Sequence, residues 1–143
     1  MMIQQLSVFL ENRQGHLNKV LATLSEHHVN IVALSLAENE DYGMLRMVVS
    51  DPELGKEVLK NAGNTARLTE VVALRVPHAT GSLSQAMNIL VANNINVEYM
   101  YAFANGEDAS AVLKTDEPLK AIELLEKGGF GVWKADEAYK ANS

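Results

Sequence analysis

Asn12-Arg13-Gln14-Gly15-His16-Leu17 and His78-Ala79-Thr80-Gly81-Ser82-Leu83 lie 66 residues apart, and together they decide the fold. Each has a glycine two residues before a leucine that opens an apolar helical stripe. At the same offset Leu24 meets Leu90, Val29 meets Ile95, Asn30 meets Asn96, and Ile31 meets Val97. Upstream, Leu6, Val8 and Leu10 fall on Val72, Leu74 and Val76. Further on, Asp51-Pro52 is matched to Asp116-Glu117-Pro118 with the aspartates 65 apart, which implies one residue lost from the intervening hairpin. Agreement in order, spacing and role marks two diverged copies of one unit.

Both copies read alike locally. Residues 3–10 alternate, with Leu6, Val8 and Leu10 on one face, as in a half-buried strand. Leu17, Val20, Leu21 and Leu24 then take helical spacing, and Leu83, Met87, Leu90 and Val91 give the second copy its stripe. Strands are expected at 30–37 and 43–50, turned by Glu38-Asn39-Glu40-Asp41, and at 96–104 and 109–115, turned by Asn105-Gly106. Asp51 is placed to cap a helix that Pro52 starts and Gly63 stops, an arrangement repeated by Asp116, Pro118 and Gly128. A strand at 65–69 runs directly into one at 70–77. The resulting strand–helix–strand–strand–helix–strand order is the split βαβ arrangement. The expected class is α+β: two ferredoxin-like βαββαβ units side by side, with antiparallel sheets covered by helices on one face. The units are 1–69 and 70–134, followed by a tail at 135–143, and docked together they would make an eight-stranded sheet.

Composition narrows the function. With 143 residues, 48% apolar and 21% charged, the chain is typical of a globular protein. Eighteen acidic against 12 basic residues give a net charge of −6, which opposes binding to nucleic acid or to anionic membrane. Absence of cysteine excludes disulfides, thiolate metal sites and cysteine nucleophiles. The first ten residues lack the basic and apolar segments of a signal peptide, and no apolar run reaches membrane-spanning length. A cytoplasmic location is expected.

The glycine loops are the most informative candidates. Glycine lets backbone approach a ligand closely, and a helix N-terminus offers unpaired N–H groups to an anion such as a carboxylate. Asn30 and Asn96 carry amides that both donate and accept, suiting an α-amino group and a carboxylate together. Glycine and asparagine at these positions also serve simply as turn and cap. The adjacent His27 and His28 diverge on a helix end, and with His16 and His78 elsewhere they give no metal site. Tyr99 and Tyr101 share a strand face that is either packing surface or pocket wall. No nucleophile elbow, P-loop or dinucleotide fingerprint is present.

Gly-x-Leu, helical apolar spacing, and then Val29-Asn30-Ile31 or Ile95-Asn96-Val97 resemble the ACT domain, twice over nearly the whole chain. That resemblance implies a regulatory amino-acid-binding module with two quasi-equivalent sites; with no catalytic or metal motif among the residues, no cofactor, metal or catalysis is expected. It implies ligand contacts at Asn12, Gly15, His16, Leu17, Asn30 and Ile31, with Gly81, Ser82, Leu83, Asn96 and Val97 as counterparts. The family often has an acidic residue and a proline before the helix; here Asn12 and His78, Gln14 and Thr80 stand in their places, leaving ligand identity open. A homodimer and a metabolic enzyme partner are expected. The alternatives are an ACT-like interaction subunit that assembles with a metabolic enzyme and binds no ligand, and a small enzyme using His16 or His78 as acid–base group.

Overall fold

The computed structural model describes residues 2–11, 13–38, 41–77, 79–105 and 108–140, without the side chains of residues 104, 105 and 108. Asn12, His78, Asn39, Glu40, Gly106 and the last residues of the tail lie outside these, and with them the expected hairpin turns. Gln4–Thr69 and Tyr139 belong to one compact unit, and Ile3 and Glu70–Ala138 to the other.

In the first unit β1 (Ile3–Glu11), α1 (His16–Glu26), β2 (Ile31–Glu38), β3 (Tyr42–Val49) and α2 (Pro52–Asn61) lead into β4 (Thr65–Val76), with strand order β2-β3-β1-β4. The alternation in β1 does what its period requires: Leu6 and Val8 lie opposite Met47 and Leu45 on one sheet face. Val20, Leu24 and Leu59 of the two helices close over that face, and all seven are fully buried. Truncating any one of these leucines to alanine would cost about 2–5 kcal/mol.

The second unit continues with α3 (Ser82–Ala92), β5 (Val97–Asn105), β6 (Asp108–Thr115), α4 (Pro118–Lys127) and the short α5 (Ala135–Tyr139), with strand order β4-β6-β5. Its core gathers Val72, Leu74, Ala86, Leu90, Leu113 and Leu125. Among the described residues the expected eight strands are six, for two reasons. Residues 65–69 and 70–76 are one unbroken strand, β4. The last strand shrinks to a single bridge between Val132 and Leu74, flanked by bonds from Arg75 N–H to Gly131 O and from Trp133 N–H to Ala73 O, both 2.8 Å. Trp133 then anchors sideways, donating its indole N–H to Ser110 Oγ at 2.9 Å beneath the Arg75 guanidinium, 3.6 Å from the ring centre.

The repeat is stricter than the aspartate match implied, and no residue is lost. Pro52 and Pro118 start α2 and α4 at the constant offset of 66. Both hairpins carry a register shift at equivalent places, Ile31/Ala33 and Val97/Tyr99. The mismatch arose because Asp116 is not a helix cap. Glu117 occupies the cap position of α4 and makes no side-chain cap bond, whereas Asp51 Oδ1 accepts from Leu54 N–H at 3.1 Å. Asp116 Oδ1 accepts instead from Asn96 N–H at 3.1 Å, just as Ser50 Oγ accepts from Asn30 N–H at 2.9 Å. Gly129, at φ 88, is likewise the counterpart of Gly63, at φ 91, while Gly128 keeps a negative φ. The left-handed residue, not the one before it, reverses the chain after the helix. In α3 the buried apolar positions are Ala86 and Leu90, in register with Val20 and Leu24; Val91 is the counterpart of Ser25 and is exposed.

The tail has a specific anchor. Tyr139 Oη accepts from Gln4 N–H at 2.8 Å. Burial raises its phenol above the ordinary 10.0; the Gln4 N–H lowers it and the Glu53 carboxylate raises it further, for a net upward shift. A raised acid favours its neutral form in the fold, so this contribution is complete below pH 10 and is lost as the pH climbs past it. Denaturation at stepped alkaline pH should therefore show stability falling above pH 10, and Tyr139→Phe should flatten that fall. Asp51→Ala should cost about 1 kcal/mol in urea denaturation. Glu117→Ala, removing a side chain that makes no cap bond, should cost close to nothing.

Candidate functional site

The two glycine bends are built alike. Gly15 (φ 83, ψ −4) and Gly81 (φ 86, ψ −3) stand at the N-cap positions of α1 and α3 in left-handed backbone. An added Cβ at either would meet nothing within 4 Å, so it is conformation, not space, that calls for glycine. Neither helix has a side-chain cap or an acidic residue in its first turn, which leaves the positive ends of both helices uncompensated.

Beyond the bends the units part company. In the first, His16 Nδ1 accepts from Glu11 N–H at 3.1 Å, and His16 Nε2 lies 3.0 Å from Asn64 Oδ1. Asn64 Nδ2 donates to Leu59 O at 3.1 Å, which orients the amide with its oxygen towards the imidazole. His16 therefore carries its proton on Nε2 and donates it to Asn64. The network joins the end of β1, the start of α1 and the turn after α2. In the second unit the equivalent positions hold Ser82, which is buried, and Phe130, which packs on the core.

Beside the His16–Asn64 pair opens a cavity of about 430 Å³. Phe9 and Glu11 of β1 form one wall and Arg13 the entry to the helix. Lys19, Ala22, Thr23 and Glu26 form a stripe along α1, and Ala62, Gly63, Asn64 and Thr65 close the far side. The size falls within the roughly 300–1,000 Å³ usual for small-molecule sites. Two cations and two carboxylates face it. Arg13 and Glu11 are paired at 3.5 Å, while Lys19 and Glu26 have no ion pair among the described residues.

Of the residues singled out in the sequence, His16 lines this cavity, and Arg13 of the quoted loop joins it. Leu17 packs half-buried on the first core and borders a smaller hollow of about 160 Å³ with Leu36 and Gly43. Leu83 is exposed. Asn30 and Ile31 follow the other end of α1, and Asn96 and Val97 the other end of α3. An 11-residue helix is about 16 Å long, so within a unit the bend and the asparagine do not meet. Phe9, Lys19, Thr23, Glu26 and Asn64 were not foreseen. A signal existed in the repeat, where Thr23 and Asn64 stand against apolar Ile89 and Phe130. Among the described residues no group of three or more His, Asp or Glu could hold a metal ion, and no helix is long and apolar enough to cross a membrane.

A Bacteroides thetaiotaomicron protein of solved structure is 37% identical, with a TM-score of 0.93, and the match covers 98% of this chain and 97% of that one. The ligand-free regulatory subunit of aspartate kinase from Thermus thermophilus shares the fold at 14% identity and a TM-score of 0.63, over 87% of this chain and 91% of that one. The corresponding subunit from Thermus flavus does so at 13% and 0.61, over 90% and 94%. No curated protein matches the chain. The family described as the ACT domain pair matches residues 1–136. With the duplicated βαββαβ order and the paired glycine bends, that match over nearly the whole length makes the chain a member of the ACT domain pair family.

Proposed function

We propose that the chain is a regulatory module of the cytoplasm that binds an amino acid and catalyses no reaction of its own. The observation that carries this reading is the cavity beside His16, large enough for a small metabolite and lined by charges of both signs. Binding there stabilises the liganded form through differential affinity, which is the minimum a sensor needs. In this reading His16 lines the site and Gly15 sets the bend before it, and Asn12 and Leu17 are further proposed contacts. Asn30 and Asn96 serve the fold through their backbone N–H groups, donated to Ser50 and Asp116.

The output passes to a partner. The Thermus proteins of like fold are regulatory subunits of an enzyme, and a metabolic enzyme is the partner proposed here. A second reading, an interaction subunit without ligand, is favoured by Leu34 and Leu36, which are 50% and 41% exposed on the edge strand β2. The same edge suits a homodimer.

A thermal-shift screen against the common amino acids separates the readings. A ligand at about a hundred times its Kd adds about 2.7 kcal/mol of stability, a shift of several degrees for a chain this size. Lys19→Ala should diminish the shift and Asn30→Ala should preserve it. A folded protein that answers to no amino acid would move the assignment to the interaction subunit.

A further inference from the structure

We propose that only the first unit takes the ligand, one molecule per chain, and that this ligand is a zwitterionic α-amino acid with a polar side chain. The proposal rests on the function given above and adds where, how many and which chemistry.

The constant offset lets each wall of the cavity be read against its copy. Thr23 becomes Ile89, Glu26 becomes Ala92, Lys19 becomes Gln85, Arg13 becomes Ala79 and Asn64 becomes Phe130. Two of the apolar replacements pack inward. Ile89 lies against the turn after α4 so closely that a Cβ on Gly128 would come within 2.5 Å of its Cδ1. Phe130 is half-buried against the second core, where Asn64 of the first unit holds the imidazole. Both units keep the glycine bend, and the counterparts of Glu11, Arg13, Lys19 and Glu26 in the second unit are all uncharged.

Those charges indicate the ligand. Arg13 and Lys19 balance Glu11 and Glu26, so the walls are formally neutral and suit a zwitterion better than a dianion. The Arg13–Glu11 pair is 62% and 64% exposed, and an exposed pair contributes little by itself. Its 3.5 Å spacing matches the short span between the two charged groups on one α-carbon. The ligand carboxylate takes Arg13, with its bidentate fork, and the ammonium takes Glu11. The rest of the ligand runs along α1 past Lys19 and Thr23 towards Glu26, which favours a polar side chain.

Isothermal titration calorimetry with each of the common amino acids tests this on the full chain. The expected result is one site per chain, for an amino acid with a polar side chain. Thr23→Ile with Asn64→Phe, which installs the second unit's residues, should weaken binding about a hundredfold. Arg13→Ala, at an exposed position that leaves the core alone, should weaken it about tenfold. Ile89→Thr should leave affinity within a factor of about two. Two sites per chain, full affinity in Arg13→Ala, or loss confined to Ile89→Thr would overturn the inference while leaving the amino-acid sensor standing. Silence towards every amino acid would overturn both.

Discussion

The imidazole of His16 is held from both sides, by an N–H from Glu11 at one nitrogen and by the Asn64 oxygen at the other. The end of β1 and the first turn of α1, neighbours in the chain, meet the turn beyond α2 in that ring, 48 residues from His16. The bond from Asn64 Nδ2 to Leu59 O completes the set, so each polar group's orientation is fixed by the next. This tie links the start of α1 to the turn after α2 through side chains. The cavity exists because a polar network, rather than apolar packing, fills the corner.

The second unit shows the alternative solution to the same corner. With Ser82 and Phe130 in place of His16 and Asn64, an aromatic ring packs half-buried against the core instead. An aromatic side chain contributes more to stability through area removed from water than a hydrogen-bonded pair contributes net. The two halves of one ACT domain pair thus differ at this corner, polar around His16 and Asn64 in one and apolar around Phe130 in the other.

The architecture was largely readable because it is written in periodicity and repetition. Leu6, Val8 and Leu10 state the buried face of β1, and Gly15 and Gly81 mark left-handed caps that any copy of this loop requires. Errors came where one residue type serves two purposes. Asp116 resembles a helix cap but bonds to Asn96 N–H, and Gly128 precedes the true reversing glycine by one position. The cavity was harder to see. His16 and Asn64 are separated by 48 residues, and nothing local says that they touch. Lys19, Thr23 and Glu26 read as the solvated stripe of an amphipathic helix, as such spacing normally is. Their contrast with Gln85, Ile89 and Ala92 acquires meaning only once the fold shows which corner they face.

The most direct test of the account is a proton–nitrogen correlation spectrum of the labelled chain, recorded through a titration with whichever amino acid binds. The account requires the largest shifts at the amides of Arg13, His16, Thr23 and Gly63, with Gln85, Ile89 and Gly129 undisturbed. Shifts of equal size in both sets, or shifts centred on the second, would contradict it.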